Sequence, residues 1–126
     1  MIIQNKYTYR PGDLKKLSYN FSLSVLEFAK TLPSDKVLLP ILDQLIKSST
    51  SIGANIIEAN YSSSQKEAKN FFEIAMKSSQ KSEYWLSLIK DSYDKDSDHL
   101  ILKVQNVRGM LDMILNSIDS ERSLYD

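Results

Sequence analysis

A chain of 126 residues, 42% apolar and 25% charged, fits one domain with a sizeable core, and its formal net charge of zero offers no global excess to attract nucleic acid or to keep a tail solvated. It has no cysteine, which excludes disulfides and thiolate metal sites. No apolar run approaches the roughly 20 residues that a membrane span needs, residues 1–10 lack a signal-peptide core, and three Gly with three Pro favour long helices over a turn-rich sheet. The expectation is an all-α, cytoplasmic protein.

Residues 1–12 have no clear period and read as a tail or arm ending in the Pro11-Gly12 turn signal, with Asp13 a plausible cap. The first helix is predicted over 14–32, on the stripe Leu14, Leu17, Phe21, Val25, Phe28 and Leu32. Ser18 to Val25 alternates strictly and also fits a strand. The longer helical stripe continues on both sides of it and no partner strand is evident, so helix is the preferred reading. Pro33 stops this helix, Ser34 or Asp35 can cap a new turn, and Pro40 limits the second helix, predicted over 39–60. Ser64 and Glu67 make a capping-box pattern for a third helix over 65–91. Its stripe, Ala68, Phe72, Ala75, Ser79, Ser82, Leu86 and Ile89, is small in the middle. An acidic loop with Asp96 or Ser97 as cap leads to the fourth helix, over 99–121, whose stripe Leu100, Val104, Val107, Leu111, Ile114 and Ile118 is the cleanest in the chain. Residues 13–122 thus form the domain and 123–126 a short tail. Four helices with short connections predict an antiparallel up-down-up-down bundle.

No catalytic or metal constellation emerges. His99 is the single histidine and falls at a helix start, so carboxylate-bridged metal pairs have no Glu-x-x-His to use. Asp94-x-Asp96-x-Asp98 opens like a calcium loop, but His99 and Gln105 stand where the glycine and the closing glutamate belong. No glycine-rich phosphate loop is present, and none of the many serines has a base arranged beside it. No cofactor is expected.

Two patterns invite a functional reading. On the second helix, Gln44, Ser48, Ser51, Asn55 and Glu58 form a polar row beside the apolar-type face Leu45, Ser49, Ile52 and Ile56. One charge in five is few for a solvated face. The row suggests ordered hydrogen bonds at a helix–helix or subunit contact; a ligand or nucleic-acid groove and an ordinary wet face are the competing readings. Gly53 and Ala54 would let another helix come close, offsetting the roughly 1 kcal/mol that Gly costs in a helix. On the third helix, Lys66, Lys69, Lys77 and Lys81 share one face with Glu73 among them. Such a stripe is usually solvated surface, but repeated in a symmetric oligomer it would give several weak contacts to one nucleic-acid backbone.

The run Asp43-Gln44 through Lys47, then Ser51-Ile52-Gly53-Ala54-Asn55-Ile56 and Glu58-Ala59, resembles the 23S rRNA-intervening-sequence protein family of four-helix-bundle proteins. The family pattern there is similar to D-Q-x-x-R followed by S-I-[PG]-A-N-I-x-E-[GA]. Phe72, Ile74-Ala75, Lys77 and Glu83-Tyr84-Trp85-Leu86 resemble a second family pattern, and together the likeness covers roughly residues 13 to 120. Lys47 stands where Arg is usual, Ala59 where Gly is common, and Lys81 where Glu is expected, which leaves the third helix more basic and removes a bidentate guanidinium. The resemblance implies a four-helix bundle assembled as a homopentamer, with Gln44, Lys47, Ser51, Asn55 and Glu58 as family-motif and helix-contact residues, and no reaction. It also implies kinship with accessory variability proteins of diversity-generating retroelements, basic pentamers that bind nucleic acid and a reverse transcriptase. Two readings follow: a non-catalytic oligomeric scaffold or binding module, or a factor that binds RNA or DNA through Lys66, Lys69, Lys77 and Lys81.

Overall fold

The structure is a computed structural model and describes residues 12–125, with side chains up to residue 120. The arm expected over residues 1–12 lies, but for Gly12, outside the described residues. Four helices follow: α1 (Asp13–Ala29), α2 (Leu38–Asn60), α3 (Gln65–Tyr93) and α4 (Asp98–Tyr125). Helix α1 packs on α2 and α4, and α3 packs on the same two, so α1 faces α3 across one diagonal and α2 faces α4 across the other. Ser48 meets Ser82 and Ser51 meets Ser78, while Glu83 meets Arg108 and Lys69 meets Asp119. Residue numbers rise along one helix as they fall along its neighbour, which is the antiparallel up-down-up-down bundle. It is an all-α fold.

The core is made by the expected stripes on α2, α3 and α4. Leu45, Ile52, Leu86, Leu100, Leu111 and Ile118 are fully buried, each contributing about 1.5–3 kcal/mol against exposure. Helix α1 departs from expectation. Its buried positions are Leu14, Ser18, Phe21, Val25 and Phe28, and Leu17 is exposed. Serine replaces leucine in the stripe because α2 comes close here through Gly53. A Cβ on Gly53 would sit 3.4 Å from Ser18 Oγ. Ser18 in turn donates to the Lys15 carbonyl at 2.9 Å, so its buried hydroxyl is satisfied.

The helix ends refine the expected limits. Helix α1 ends at Ala29 rather than Leu32. Thr31 and Leu32 donate to the carbonyls three residues back, of Phe28 and Ala29, and Pro33 bars Leu32 from α conformation. Leu32 still packs against the core from outside the helix. Helix α2 starts at Leu38, with Pro40 in the first turn, where a missing N–H is harmless. Asp35 organises this start: its Oδ1 accepts from Val37 N at 2.8 Å and its carbonyl from Leu38 and Leu39. Its Oδ2 accepts from the Tyr93 hydroxyl at 2.9 Å, which anchors the last turn of α3 two residues beyond the expected Asp91. The Val37 N–H, then the Tyr93 hydroxyl, hold the Asp35 carboxyl below its ordinary range, while burial and then Asp35 raise the Tyr93 phenol.

Ser64 caps α3 by accepting from Glu67 N at 3.1 Å, whereas the Glu67 carboxylate reaches one residue further back, to the Ser63 hydroxyl at 2.9 Å. Before α4 the two expected caps divide the task. Asp96 Oδ1 accepts from Asp98 N at 3.0 Å, and the Ser97 carbonyl accepts from Leu100 and Ile101. Ser97 itself is buried, its hydroxyl 3.3 Å from the Leu86 carbonyl. Helix α4 continues to Tyr125, through residues expected as a tail.

Candidate functional site

The polar row of α2 divides into a middle and two ends. Ser48 is buried, Ser51 and Asn55 are half-buried, and Gln44 and Glu58 are exposed, as is Lys47. Ser48 and Ser51 meet α3 within the same chain, and Asn55 bonds back to Ser51. Ser78 Oγ donates to Ser51 Oγ at 3.0 Å. Ser82 Oγ lies 2.9 Å from both Ser48 Oγ and the Ser78 carbonyl. A hydroxyl has one proton, so Ser82 serves one of these at a time, and Ser48 can donate to the Leu45 carbonyl at 3.2 Å. Asn55 Nδ2 donates to the Ser51 carbonyl at 2.8 Å and lies 3.0 Å from its hydroxyl. Among the described residues no buried side-chain polar atom lacks a partner. The seam is therefore a closed hydroxyl network between two helices that approach closely on small side chains. Its serine hydroxyls are engaged within the chain, which leaves them little capacity to hold a ligand.

The four lysines separate as well. Lys69 reaches across to Asp119 at 2.7 Å and lies 3.9 Å from Glu73. Lys66, Lys77 and Lys81 are exposed and form no ion pair among the described residues. They lie on the face of α3 away from Phe72, Ala75 and Leu86. The acidic loop holds no cation-binding cluster. Asp96 caps α4 and Asp98 pairs with Lys90 at 2.5 Å, which raises the Lys90 ammonium through that hydrogen bond first. No group of three or more His, Asp or Glu among the described residues could hold a metal, and His99 is exposed.

A third surface was not marked as a site by the sequence. A groove of about 590 Å³ runs between α1 and α2. Ser22, Gly53 and Ala54 are small and leave it hollow. Tyr19, Leu23, Leu26 and Ile57 supply its apolar surface, and its charges are Lys15 and Lys16. The signal was present in the alternation from Ser18 to Val25. On a helix that pattern sends Phe21 and Val25 inward and Tyr19 and Leu23 to a second apolar stripe, which none of the described residues covers. A second contact, between α3 and α4, was equally unmarked. Glu83 accepts from Arg108 and, at 2.7 Å, from Gln105, tying the Glu83-Tyr84-Trp85-Leu86 motif to α4.

No helix among the described residues is long and apolar enough to cross a membrane. No curated protein matches the chain. Among solved structures, a protein of unknown function from the S23 ribosomal protein family of Bacteroides thetaiotaomicron is similar at 27% identity, covering 81% of this chain and 97% of its own, with a TM-score of 0.75. Residues 12–113 match the family described as 23S rRNA-intervening sequence protein. That span holds both sequence motifs, the hydroxyl seam and the α1–α2 groove, and the chain belongs to the 23S rRNA-intervening sequence protein family.

Proposed function

We propose that the protein is a non-catalytic oligomeric scaffold or binding module of the cytoplasm, whose four-helix protomers associate through exposed apolar surface. The observation that carries this reading is the α1–α2 groove, contiguous apolar surface of the kind that soluble monomers avoid. The closed α2–α3 seam supports it too, because the motif residues there serve architecture instead of chemistry. Family resemblance supplies the pentamer as the expected stoichiometry. The test is the native mass across a wide concentration range. A multiple of the 14.4 kDa protomer is expected, and a monomer at every concentration would overturn the reading.

A second reading, a nucleic-acid-binding accessory factor of a reverse transcriptase, draws on one observation: Lys66, Lys77 and Lys81 are exposed without ion partners among the described residues. Binding to structured RNA should then weaken steeply with salt, and replacing the three lysines by Gln should flatten the slope of log affinity against log salt by about 0.7–0.9 for each phosphate no longer neutralised. An intact oligomer that binds no RNA even at low salt removes this reading.

A further inference from the structure

Tyr19, Leu23 and Leu26 are 67%, 44% and 39% exposed along the α1–α2 groove. Single exposed apolar side chains are ordinary, but a continuous groove of them marks a contact surface. From Gly12 to Leu26 it follows α1 for about 20 Å, the length of roughly four helical turns. A helix of that length would match it, with acidic residues where Lys15 and Lys16 stand.

The same chain carries such a helix surface. On α4, Leu102, Asn106, Gly109 and Met113 step by four, three and four and form an uncharged stripe opposite the core. Leu102 is 60% exposed. Gly109 lies deep inside the helix, and a Cβ placed on it would meet nothing within 4 Å. Packing among the described residues thus gives no reason for a residue that weakens a helix. A second helix laid against it does, since a glycine lets backbones approach closely. Asp112 is exposed beside the stripe, near its C-terminal end.

We infer that a second copy of this chain fills the α1–α2 groove with the Leu102–Met113 face of its α4, Asp112 lying against Lys15 and Lys16. The inference rests on the self-association proposed above and names the surfaces that perform it. The stripe is about 17 Å long, within the span of the groove. Groove and stripe belong to different sides of one bundle, so the contact is head-to-tail, and repetition of it closes a ring wherever the rotation allows. The exposed lysines of α3 belong to neither surface and stay uncovered.

The absence of cysteine makes the test direct. An Ala54→Cys variant is mixed with a Gly109→Cys variant and treated with a short bis-maleimide. Native mass is measured for wild type, Leu23→Glu and Leu102→Glu, with circular dichroism to establish that each variant is folded. Both positions are exposed, so helicity should be kept. The expected result is a cross-linked dimer from the mixture, none when Asn70→Cys, on the exposed face of α3, replaces Ala54→Cys, and at least a tenfold weaker association in each Glu variant. An oligomer that keeps its wild-type mass in the two folded Glu variants, with no cross-linked dimer, overturns these surfaces and leaves self-association standing. A wild type that is monomeric throughout overturns both.

Discussion

At the residue scale the bundle is governed by what is missing from its side chains. The α1–α2 contact is close because Gly53 faces Ser18, and the α2–α3 contact because serines face serines. These two kinds of closeness have different tolerances. Gly53→Ala puts a methyl at ordinary van der Waals distance from Ser18 Oγ and gains about 1 kcal/mol of helix propensity, so its urea midpoint should rise. Gly53→Val must push Ser18 aside and should destabilise the fold by about 1–3 kcal/mol, lowering the midpoint. The sign change between two neighbouring alkyl side chains is the test, and equal effects would mean the contact is looser than 3.4 Å. Ser82→Ala removes the hydroxyl between Ser48 and the Ser78 carbonyl and should cost about 1 kcal/mol.

At the element scale the helix ends carry separate, measurable contributions. Ser64→Ala removes the acceptor for Glu67 N and should destabilise the fold by about 1 kcal/mol in chemical denaturation. Asp35 holds the start of α2 and the end of α3 together and gives a pH signature. Its carboxyl titrates lower in the folded chain than in the unfolded one, chiefly through the Val37 N–H. Its stabilisation is present above the unfolded value of about 3.9 and is lost as pH falls through the lowered folded value. Wild type should therefore melt above Asp35→Asn at pH 7, and the two should converge as pH falls through the lowered folded value. Tyr93 has the opposite sense: its raised phenol contributes below about pH 10 and the contribution disappears as pH rises past the folded value. A constant difference in melting temperature across pH would refute the Asp35 assignment.

The same ends show what was legible in the sequence. Pro33, Pro40, Ser64 and Ser97 act on neighbours within a few positions, so local pattern locates the four helices to within a few residues. The partner of Asp35 lies 58 residues away, and no local rule connects them. Spacing alone puts Leu17 in the core, because the small surface of Gly53 that admits Ser18 instead belongs to another helix. The polar row on α2 is visible in the sequence, while the division into three inward and two exposed members requires knowing where α3 lies.

At the scale of the whole molecule, the largely apolar α1–α2 groove and the exposed lysines of α3 should answer differently to salt. Association through the α1–α2 groove would remove apolar surface from water, a contribution that salt does not weaken. Contacts made by Lys66, Lys77 and Lys81 to a polyanion would be screened. Raising sodium chloride from about 0.05 M to about 0.5 M should leave the native mass unchanged while abolishing any RNA binding. Dissociation over that range would show that charge, such as Asp112 against Lys15 and Lys16, and not apolar burial, holds the copies together.

The hydroxyl seam also bears on the order in which the chain folds. Helices α2 and α3 are sequence neighbours, joined by the connection at residues 61–64, and share the most extensive contact in the bundle. A wholly apolar seam specifies its register less sharply than a polar one against a slip of one turn, about 5.4 Å. Here a slip would part Ser48 from Ser82 and Ser51 from Ser78. A local hairpin with one satisfied register is a favourable nucleus, because little loop entropy is lost before its contacts form. Ser82→Ala should accordingly act mainly by slowing refolding, and Ile118→Val, at the far end of α4, mainly by speeding unfolding. The serines of the seam then serve the protein before it is folded as much as after.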